Sequence, residues 1–138
     1  MEDNKIQEID PLMMEFLLEH YKHPHNYGQL EPAEFSYEDG NPSCGDQIKI
    51  TLNTKEEIVA DIKYTGKGCI ISQAAASILT DMVKGKKVGE VKNISKEEML
   101  ENLFIPIGPM RLKCALLALK TLKRALYGEE FYREEEDE

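Results

Sequence analysis

The segment Gln47-Ile48-Lys49-Ile50-Thr51-Leu52 alternates polar and apolar side chains, and residues 58–64 repeat this alternation after a short polar link. A period of two is typical of β-strands that have one buried and one solvated face. Because so short a link joins neighbouring strands, the two segments predict an antiparallel hairpin. With a shorter strand at 35–37, they predict a three-stranded, mainly antiparallel sheet. The expected dry face of the last strand consists of Ile58, Ala60, Ile62 and Tyr64.

Three further stretches carry apolar residues at helical spacing, and Ser95 with Glu98 three residues later forms a capping-box pattern for a short additional helix. The first is expected to stop before Pro24, because the residue that precedes a proline avoids the helical region. Ser72 is the expected cap at the start of the second, and Gly85 is expected to take a left-handed conformation at its end. We therefore expect an α+β fold in which helices pack on one face of the sheet. We predict one helix that begins at Pro11 and stops in 23–28, a second between Ile70 and Gly85, a short one around 96–103 and a last one over 110–127.

The chain has 138 residues and a formal net charge of −9, from 26 acidic and 17 basic side chains. This length predicts a single domain, which we place at residues 1–128. Residues 129–138 contribute seven acidic side chains and one basic side chain. We expect this acidic tail to be disordered.

The first 128 residues carry the remaining net charge of −3. A mildly acidic surface does not neutralise phosphate groups, so binding to nucleic acid or to an anionic membrane is not expected. The first ten residues are acidic, whereas a secretory signal begins with basic residues and continues with apolar ones. No stretch reaches the ~18 apolar residues of a membrane helix. These features predict a cytoplasmic protein.

Each of the three cysteines lies at the boundary of a predicted element. Cys44 lies in a turn, Cys69 lies between a strand and a helix, and Cys114 lies near the start of the final helix, off its leucine stripe. An odd number of thiols in a reducing compartment indicates buried side chains, metal ligands or a nucleophile. The positive N-terminal ends of the helices next to Cys69 and Cys114 favour thiolates, which bind metals and attack as nucleophiles.

Asp46 lies two positions after Cys44 and supplies an oxygen donor. If the separate loops converge, three sulfurs and one carboxylate provide the four ligands of a tetrahedral zinc site or of a small iron-sulfur cluster. Gly45, Gly66 and Gly68 have no side chains, and so allow backbone N–H groups to approach these donors. The residues by themselves leave a second interpretation open, in which the thiols are inert and Asp46 caps a turn.

His20, His23 and His25 form a second group of candidate ligands. Their spacing is similar to that of some metal motifs, but His23 and His25 flank Pro24 and His20 lies on the first predicted helix. We therefore expect solvated histidines here rather than metal ligands.

Three motifs, taken in order, carry a resemblance to a known family. They are Asn41-Pro42-Ser43-Cys44-Gly45-Asp46, Gly66-Lys67-Gly68-Cys69-Ile70-Ile71-Ser72 and Arg111-Leu112-Lys113-Cys114. They resemble the three cysteine motifs of the IscU/SufU/NifU N-terminal family of iron-sulfur cluster assembly proteins. The segment His23-Pro24-His25-Asn26-Tyr27-Gly28 is also similar to the family's His-Pro-x-Asn-x-Gly element. The resemblance covers nearly the whole chain before the acidic tail.

The resemblance implies a compact α+β fold and a scaffold function. A cysteine desulfurase would supply sulfur as a persulfide, iron would join it on the scaffold, and recipient apoproteins would take the transient [2Fe-2S] cluster. Carried over by position, the ligands of iron, of the cluster or of Zn²⁺ are Cys44, Asp46, Cys69 and Cys114. The candidate sulfur acceptors are Cys44 and Cys114. The candidate residues around the ligands are Gly45, Gly68, Arg111 and Lys113.

The chain departs from the scaffold branch of this family at two places. Lys113 stands where that branch usually has a histidine before its third cysteine. Residues 106–111 do not match the Leu-Pro-Pro-Val-Lys segment that engages an Hsp70-type chaperone, so the sequence gives no support for chaperone dependence. Arg111 is instead similar to the Arg-x-x-Cys of the zinc-binding SufU branch. Cys69 and Cys114 are only 45 positions apart, however, a spacing that does not include the characteristic insertion of that branch.

Three functions remain as hypotheses. The leading one is a scaffold for iron-sulfur cluster assembly, which is not a turnover enzyme. The second is a zinc-dependent, SufU-like sulfurtransferase that accepts persulfide sulfur from a desulfurase. The third is a structural zinc-binding interaction module. Asp46 counts against the third, because closed structural zinc sites usually use Cys and His alone.

Overall fold

The sheet has three antiparallel strands that lie side by side in chain order, which confirms the predicted architecture. The structure, a computed structural model, describes residues 11–41 and 45–128. The strands are β1 (Phe35–Asn41), β2 (Asp46–Lys55) and β3 (Ile58–Lys67). Each extends beyond its predicted bounds, because backbone pairing continues through polar residues such as Asn41 and Asp46, which lie opposite each other. This extension brings Asp46 into the sheet.

The hairpin between β2 and β3 is tighter than its sequence indicates. Its two turn residues, Glu56 and Glu57, both have positive φ angles, of 55° and 66°. Positive φ at both central positions is what a two-residue hairpin turn with the twist of the sheet requires. The turn therefore joins the strands directly, without the five-residue link expected from the sequence.

A β-bulge changes the face to which the first residues of β3 point. Asn53 pairs with Asp61 and Thr54 pairs with Val59, which leaves Ala60 as an extra residue in β3. Because one inserted residue reverses the alternation, Val59 is buried whereas Ile58 and Ala60 are exposed. The prediction that Ile58 and Ala60 lie on the dry face was therefore wrong. Beyond the bulge, the predicted alternation holds.

Five α-helices lie in the described part of the chain. Cys69, rather than Ser72, caps the start of the second helix, so that part of the prediction was wrong. The short third helix was not predicted, since five residues are too few to show a period. The last helix starts at Leu112, two residues later than predicted, after a 3₁₀ turn. The helices are α1 (Pro11–Lys22), α2 (Ile70–Val83), α3 (Val88–Lys92), α4 (Lys96–Glu101) and α5 (Leu112–Tyr127).

The main core lies between the sheet and the two long helices α2 and α5, which also pack against each other. The fully buried side chains of the sheet are contributed by alternate residues, as the pattern predicted. This packing is the expected α+β layer, with the helices on one face. No helix within 11–41 or 45–128 is both long and apolar enough to cross a bilayer. The buried apolar residues of this sheet face are Ile48, Ile50, Leu52, Val59, Ile62 and Tyr64.

The free edge of β3 is paired with the segment that follows α1. The Gly28 N–H donates to the Tyr64 carbonyl over 2.8 Å, and the Tyr64 N–H donates to the Asn26 carbonyl over 3.0 Å. Asn26 and Gly28 have φ angles of 57° and 139°, a conformation that favours glycine and asparagine. The His-Pro-x-Asn-x-Gly segment therefore covers an edge strand, which protects it from pairing with another chain.

A buried ion pair fixes α5 against β1. The Arg124 Nη1 atom lies 2.5 Å from Oδ2 of Asp39, and Lys120 Nζ lies 3.9 Å from the same oxygen. Only 9% of the Arg124 side chain and 17% of the Asp39 side chain are exposed. Because β1 ends at Asn41, this pair helps to set the position of the start of α5 relative to the end of the strand.

Candidate metal centre

Asp46, Cys69 and Cys114 meet at one end of the sheet. A carboxylate oxygen and the two sulfurs all lie within 4.8 Å of one another. Asp46 is the first residue of β2, Cys69 is the N-cap of α2, and Cys114 is the third residue of α5. Three elements that are far apart in sequence therefore place three potential ligand atoms in one small volume.

The Asp46 carboxylate is bound directly to the start of α2. Its Oδ1 accepts a hydrogen bond from the Cys69 N–H over 2.8 Å, and its Oδ2 lies 3.7 Å from Cys69 Sγ. Asp46 is 1% exposed. A buried carboxylate is costly unless hydrogen bonds and nearby positive charge compensate its own charge. A cation between the carboxylate and the sulfurs would complete this compensation.

Gly68 makes the close approach of Asp46 possible. A Cβ atom at this position would lie 2.2 Å from Asp46 Oδ1 and 2.8 Å from its Cα. The φ angle of Gly68 is +142°, which side chains rarely allow. Gly45, directly before Asp46, also has a positive φ, of +74°. These two glycines therefore shape the backbone on both sides of the carboxylate.

The Cys69 sulfur caps its own helix. Its Sγ accepts a hydrogen bond from the Ser72 N–H over 3.5 Å, while the Ser72 hydroxyl donates to the Cys69 carbonyl over 3.2 Å. The positive end of the α2 dipole thus faces the sulfur, and the start of α5 similarly holds Cys114. Both helix ends favour negative charge at the place where the donors meet.

Cys114 is fully buried, at 0% exposure. The expectation that it lies off the apolar face of the last helix was wrong: Cys114 is on the buried face, whereas Leu112 and Leu116 are only half-buried. The reason is that α5 packs against both the sheet and α2, so its buried arc is wider than a leucine stripe. The Asn41 side-chain amide donates to Cys114 Sγ over 4.0 Å.

Two of the remaining predicted site residues, Arg111 and Lys113, do not take part in this contact. Cys44 lies outside the described residues. Arg111 and Lys113 are both exposed, beside the start of α5. An open depression of about 530 Å³ flanks the site and provides access from solvent on the side of β1 and β2. Its lining includes Gly40, Asn41, Gly45, Asp46, Gln47 and Lys67.

The three donors fit a small metal ion or cluster by their chemistry. Ligands around a tetrahedral zinc ion lie about 3.5–4 Å apart, given Zn–S and Zn–O bonds of about 2.3 Å and 2.1 Å. A separation within 4.8 Å therefore needs only small side-chain movements to reach this geometry. Thiolates suit zinc and iron-sulfur clusters, whereas a carboxylate is a harder ligand that holds soft metals less firmly. The geometry is compatible with metal binding and with exchange.

A second group of donors combines two histidines for which solvated positions were expected with an aspartate that the sequence did not indicate. One ligand atom each from His20, His25 and Asp81 also lie within 4.8 Å of one another. His20 is 5% exposed and lies on α1, so the expectation of a solvated histidine was wrong for this residue. Desolvation by burial, together with the nearby His25, lowers the pKa of His20. No local pattern pointed to Asp81, which is 56 positions from His25.

Comparisons with known proteins identify the family to which this chain is similar. The NifU-like N-terminal domain family matches residues 13–136. The zinc-dependent sulfurtransferase SufU of Bacillus subtilis (strain 168) is 34% identical over 139 residues, covering 88% of this chain and 94% of that protein. The iron-sulfur cluster assembly scaffold protein IscU of Streptococcus pyogenes serotype M1 is 33% identical over 138 residues, covering 88% and 86%.

A solved structure shares the fold. The crystal structure of a candidate iron-sulfur cluster assembly scaffold protein for the SUF system from Fervidobacterium islandicum AW-1 has a TM-score of 0.72 and 28% sequence identity. The similarity covers 81% of this chain and 94% of that one. On the strength of the family match over 13–136, the relatives and the shared fold, the chain belongs to the IscU/SufU/NifU N-terminal domain family.

Proposed function

We propose that this protein is a cytoplasmic scaffold for the assembly of iron-sulfur clusters. The observation that carries the proposal is the convergence of Asp46, Cys69 and Cys114 within 4.8 Å in a member of this family. Cys44 is the proposed fourth ligand. Iron and sulfide are the cargo of such a site, and the assembled [2Fe-2S] cluster is its product. The proposed partners are a cysteine desulfurase and recipient apoproteins.

Sulfur enters by thiol–persulfide exchange. A thiolate of the scaffold attacks the outer sulfur of the desulfurase persulfide, so that a new S–S bond forms on the scaffold while the desulfurase regains its thiolate. Conversion of this sulfur to sulfide then takes two electrons, supplied by a reducing protein or a thiol. The proposed acceptors are Cys44 and Cys114. Since Cys114 is fully buried, its role as an acceptor requires the site to open first.

Asp46 is proposed to keep the cluster transferable. A carboxylate oxygen binds iron less durably than a thiolate does in a cluster with otherwise all-sulfur ligation. The Cys69 N–H holds Oδ1 of Asp46, which leaves Oδ2 on the side of the sulfurs. The ligand that is first to leave is therefore also the one whose position is set by the backbone.

Anaerobic reconstitution tests the scaffold function directly. The full chain is incubated with ferrous iron, cysteine, a cysteine desulfurase and a thiol reductant, and is then separated from small molecules. The expected result is iron and acid-labile sulfide in nearly equal amounts, followed by transfer to an apo-ferredoxin. Persistent absence of both iron and sulfide from the protein would overturn the proposal.

A zinc-dependent sulfurtransferase is the second candidate. It is favoured by the similarity to the Bacillus subtilis SufU, at 34% identity, and by Arg111, three residues before Cys114. In this mechanism zinc holds the thiolates until a ligand of the desulfurase displaces one of them, which then accepts sulfur. Zinc-loaded protein would then stimulate alanine production by a desulfurase. Unchanged alanine production excludes this candidate, whereas the reconstitution described above tests the scaffold separately.

A further inference from the structure

We propose that His20, His25 and Asp81 form a second binding site for a divalent transition-metal cation, separate from the thiol site. One ligand atom from each of the three residues lies within 4.8 Å of the others. The closest pair is His25 Nδ1 and Asp81 Oδ2, which are 2.6 Å apart. Two imidazoles and one carboxylate are a donor set that suits Zn²⁺, Co²⁺, Ni²⁺ and Fe²⁺.

The position of Asp81 on its helix provides an independent reason for a cation here. Asp81 lies in the last turn of α2, where the helix dipole places negative charge. This turn, Thr80 to Val83, contains no basic residue. Lys84, the next residue, is paired with Asp61 on β3. A carboxylate at the negative end of a helix is unfavourable by itself, so a cation bound between Asp81 and the histidines would remove an electrostatic conflict.

The donors are already held in place by neighbouring polar groups. The Ser77 hydroxyl lies 2.7 Å from His20 Nδ1 and accepts a hydrogen bond from the His25 N–H over 2.8 Å. The Asn26 side-chain amide donates to Asp81 Oδ1 over 3.0 Å, which leaves Oδ2 directed at His25. Such outer hydrogen bonds orient metal ligands and strengthen binding. Binding would therefore need little rearrangement.

The cluster is open enough for a cation to enter and to keep bound water. His20 is buried, but 48% of the His25 side chain and 47% of the Asp81 side chain are exposed. Three protein ligands with solvent access leave at least one coordination position for water, as in zinc sites that are not purely structural. A cation bound between His25 and Asp81 would take the place of the hydrogen bond that now joins them.

The two sites lie at opposite ends of α2. Cys69 caps the start of this helix, and Asp81 follows it by 12 positions in the sequence. At 1.5 Å per residue, this corresponds to about 18 Å along the helix axis. One metal ion cannot bridge the two sets of donors, so each can be loaded and removed independently.

Titration of the full chain with Co²⁺ tests the second site, because the absorption spectrum of bound Co²⁺ depends on its ligands. Co²⁺ bound by thiolates gives intense sulfur-to-metal charge transfer in the near ultraviolet, whereas Co²⁺ bound by imidazole and carboxylate gives only weak visible bands. Equilibrium dialysis counts the bound ions in parallel. We expect one equivalent with the sulfur band and a further equivalent without it. Failure to bind any sulfur-free equivalent would overturn the proposal.

Three variants test where the Co²⁺ equivalent without a sulfur band (the sulfur-free equivalent) binds. His25→Ala and Asp81→Asn change half-exposed side chains, and are expected to weaken this equivalent by at least ~10-fold while the sulfur band is retained. His23→Ala, an exposed histidine outside the cluster, is the matched control and should retain both equivalents. If His23→Ala weakened this Co²⁺ equivalent as much as His25→Ala and Asp81→Asn do, the ion would be bound elsewhere and the proposal would be overturned. Absence of the sulfur band alone would count against the scaffold site, not against this one.

Discussion

The backbone N–H of Cys69 donates a 2.8 Å hydrogen bond to Oδ1 of Asp46. This contact joins the first residue of β2 to the residue that caps α2, so the carboxylate stabilises the fold and is a candidate ligand at the same time. The two roles can be separated experimentally, because the hydrogen bond needs only an oxygen acceptor, whereas metal exchange depends on the charge and hardness of the ligand.

Replacing Asp46 is expected to slow cluster release. In Asp46→Ala, the cluster loses its weakly held oxygen ligand, and transfer to an apo-ferredoxin should slow by about tenfold. The Cys69 N–H is left without its acceptor, so the free energy of unfolding should fall by about 1–3 kcal/mol. Transfer is followed by the rise of ferredoxin absorbance, and stability is followed by urea denaturation.

Asp46→Asn is the matched control for this experiment, since it keeps an oxygen in place of Oδ1. It should retain most of the stability lost in Asp46→Ala, but show altered cluster transfer. If Asp46→Ala instead unfolds the protein and releases zinc, the site is a structural zinc site and the scaffold proposal is wrong.

Adding a methyl group at Gly68 is expected to damage the site. The new Cβ would lie 2.2 Å from Asp46 Oδ1, and the backbone has φ of +142°, so either the carboxylate or the loop must move. We expect Gly68→Ala to weaken zinc binding by at least ~10-fold, measured by competition with a chelator. Gly89→Ala is the control, because Gly89 lies in α3 with nothing within 4 Å of the new Cβ. Equal zinc affinity in the two variants would contradict the geometry.

The cysteines should differ in their reactivity. Cys114 is fully buried and Cys69 is partly exposed, so alkylation of Cys114 requires local opening of the structure. In native, metal-free protein, iodoacetamide should modify Cys69 about tenfold faster or more, as measured by mass spectrometry of peptides. In urea the two rates should become similar, and added Zn²⁺ should protect both residues. Equal rates in the native protein would show that Cys114 is accessible without opening.

The buried ion pair between Asp39 and Arg124 should matter more for stability than an exposed pair does. Asp39→Ala leaves a largely buried guanidinium without this partner and is expected to lower the free energy of unfolding by about 3 kcal/mol. Asp61→Ala, which removes an exposed pair with Lys84, should cost less than about 1 kcal/mol. Urea denaturation of both variants measures the difference. Similar losses would mean that the Asp39 pair is not what holds α5 on β1.

Much of the fold was predictable because it depends on local periodicity. The alternation through Ile48 and Ile50 predicted β2, and the Ser95 cap predicted the start of α4, where the Ser95 hydroxyl indeed accepts the Glu98 N–H. The bulge at Ala60 was not predictable from this pattern, because an extra residue is revealed only by the strand opposite. The pattern therefore located the strands but not the face of every side chain.

The candidate site was also predictable only in part from the sequence. The residue types and order of the motifs around Cys69 and Cys114 indicated the family, and the family match supports that interpretation. The burial of Cys114 depends on α5 packing against two other elements, and the grouping of His20 with Asp81 depends on α1 packing against α2. No pattern within the sequence of a single helix indicates these contacts between elements.

The family, the α+β class and the chemical types of the possible ligands could be predicted from the amino-acid sequence, because local periodicity and short motifs can be seen along the chain. The packing of the folded chain was needed to show that Asp46, Cys69 and Cys114 share one small volume, that Gly68 leaves space for the carboxylate, and that a second group of donors lies at the far end of α2. The physical reason is that these distances result from helix and sheet packing between residues remote in sequence, to which no local propensity refers.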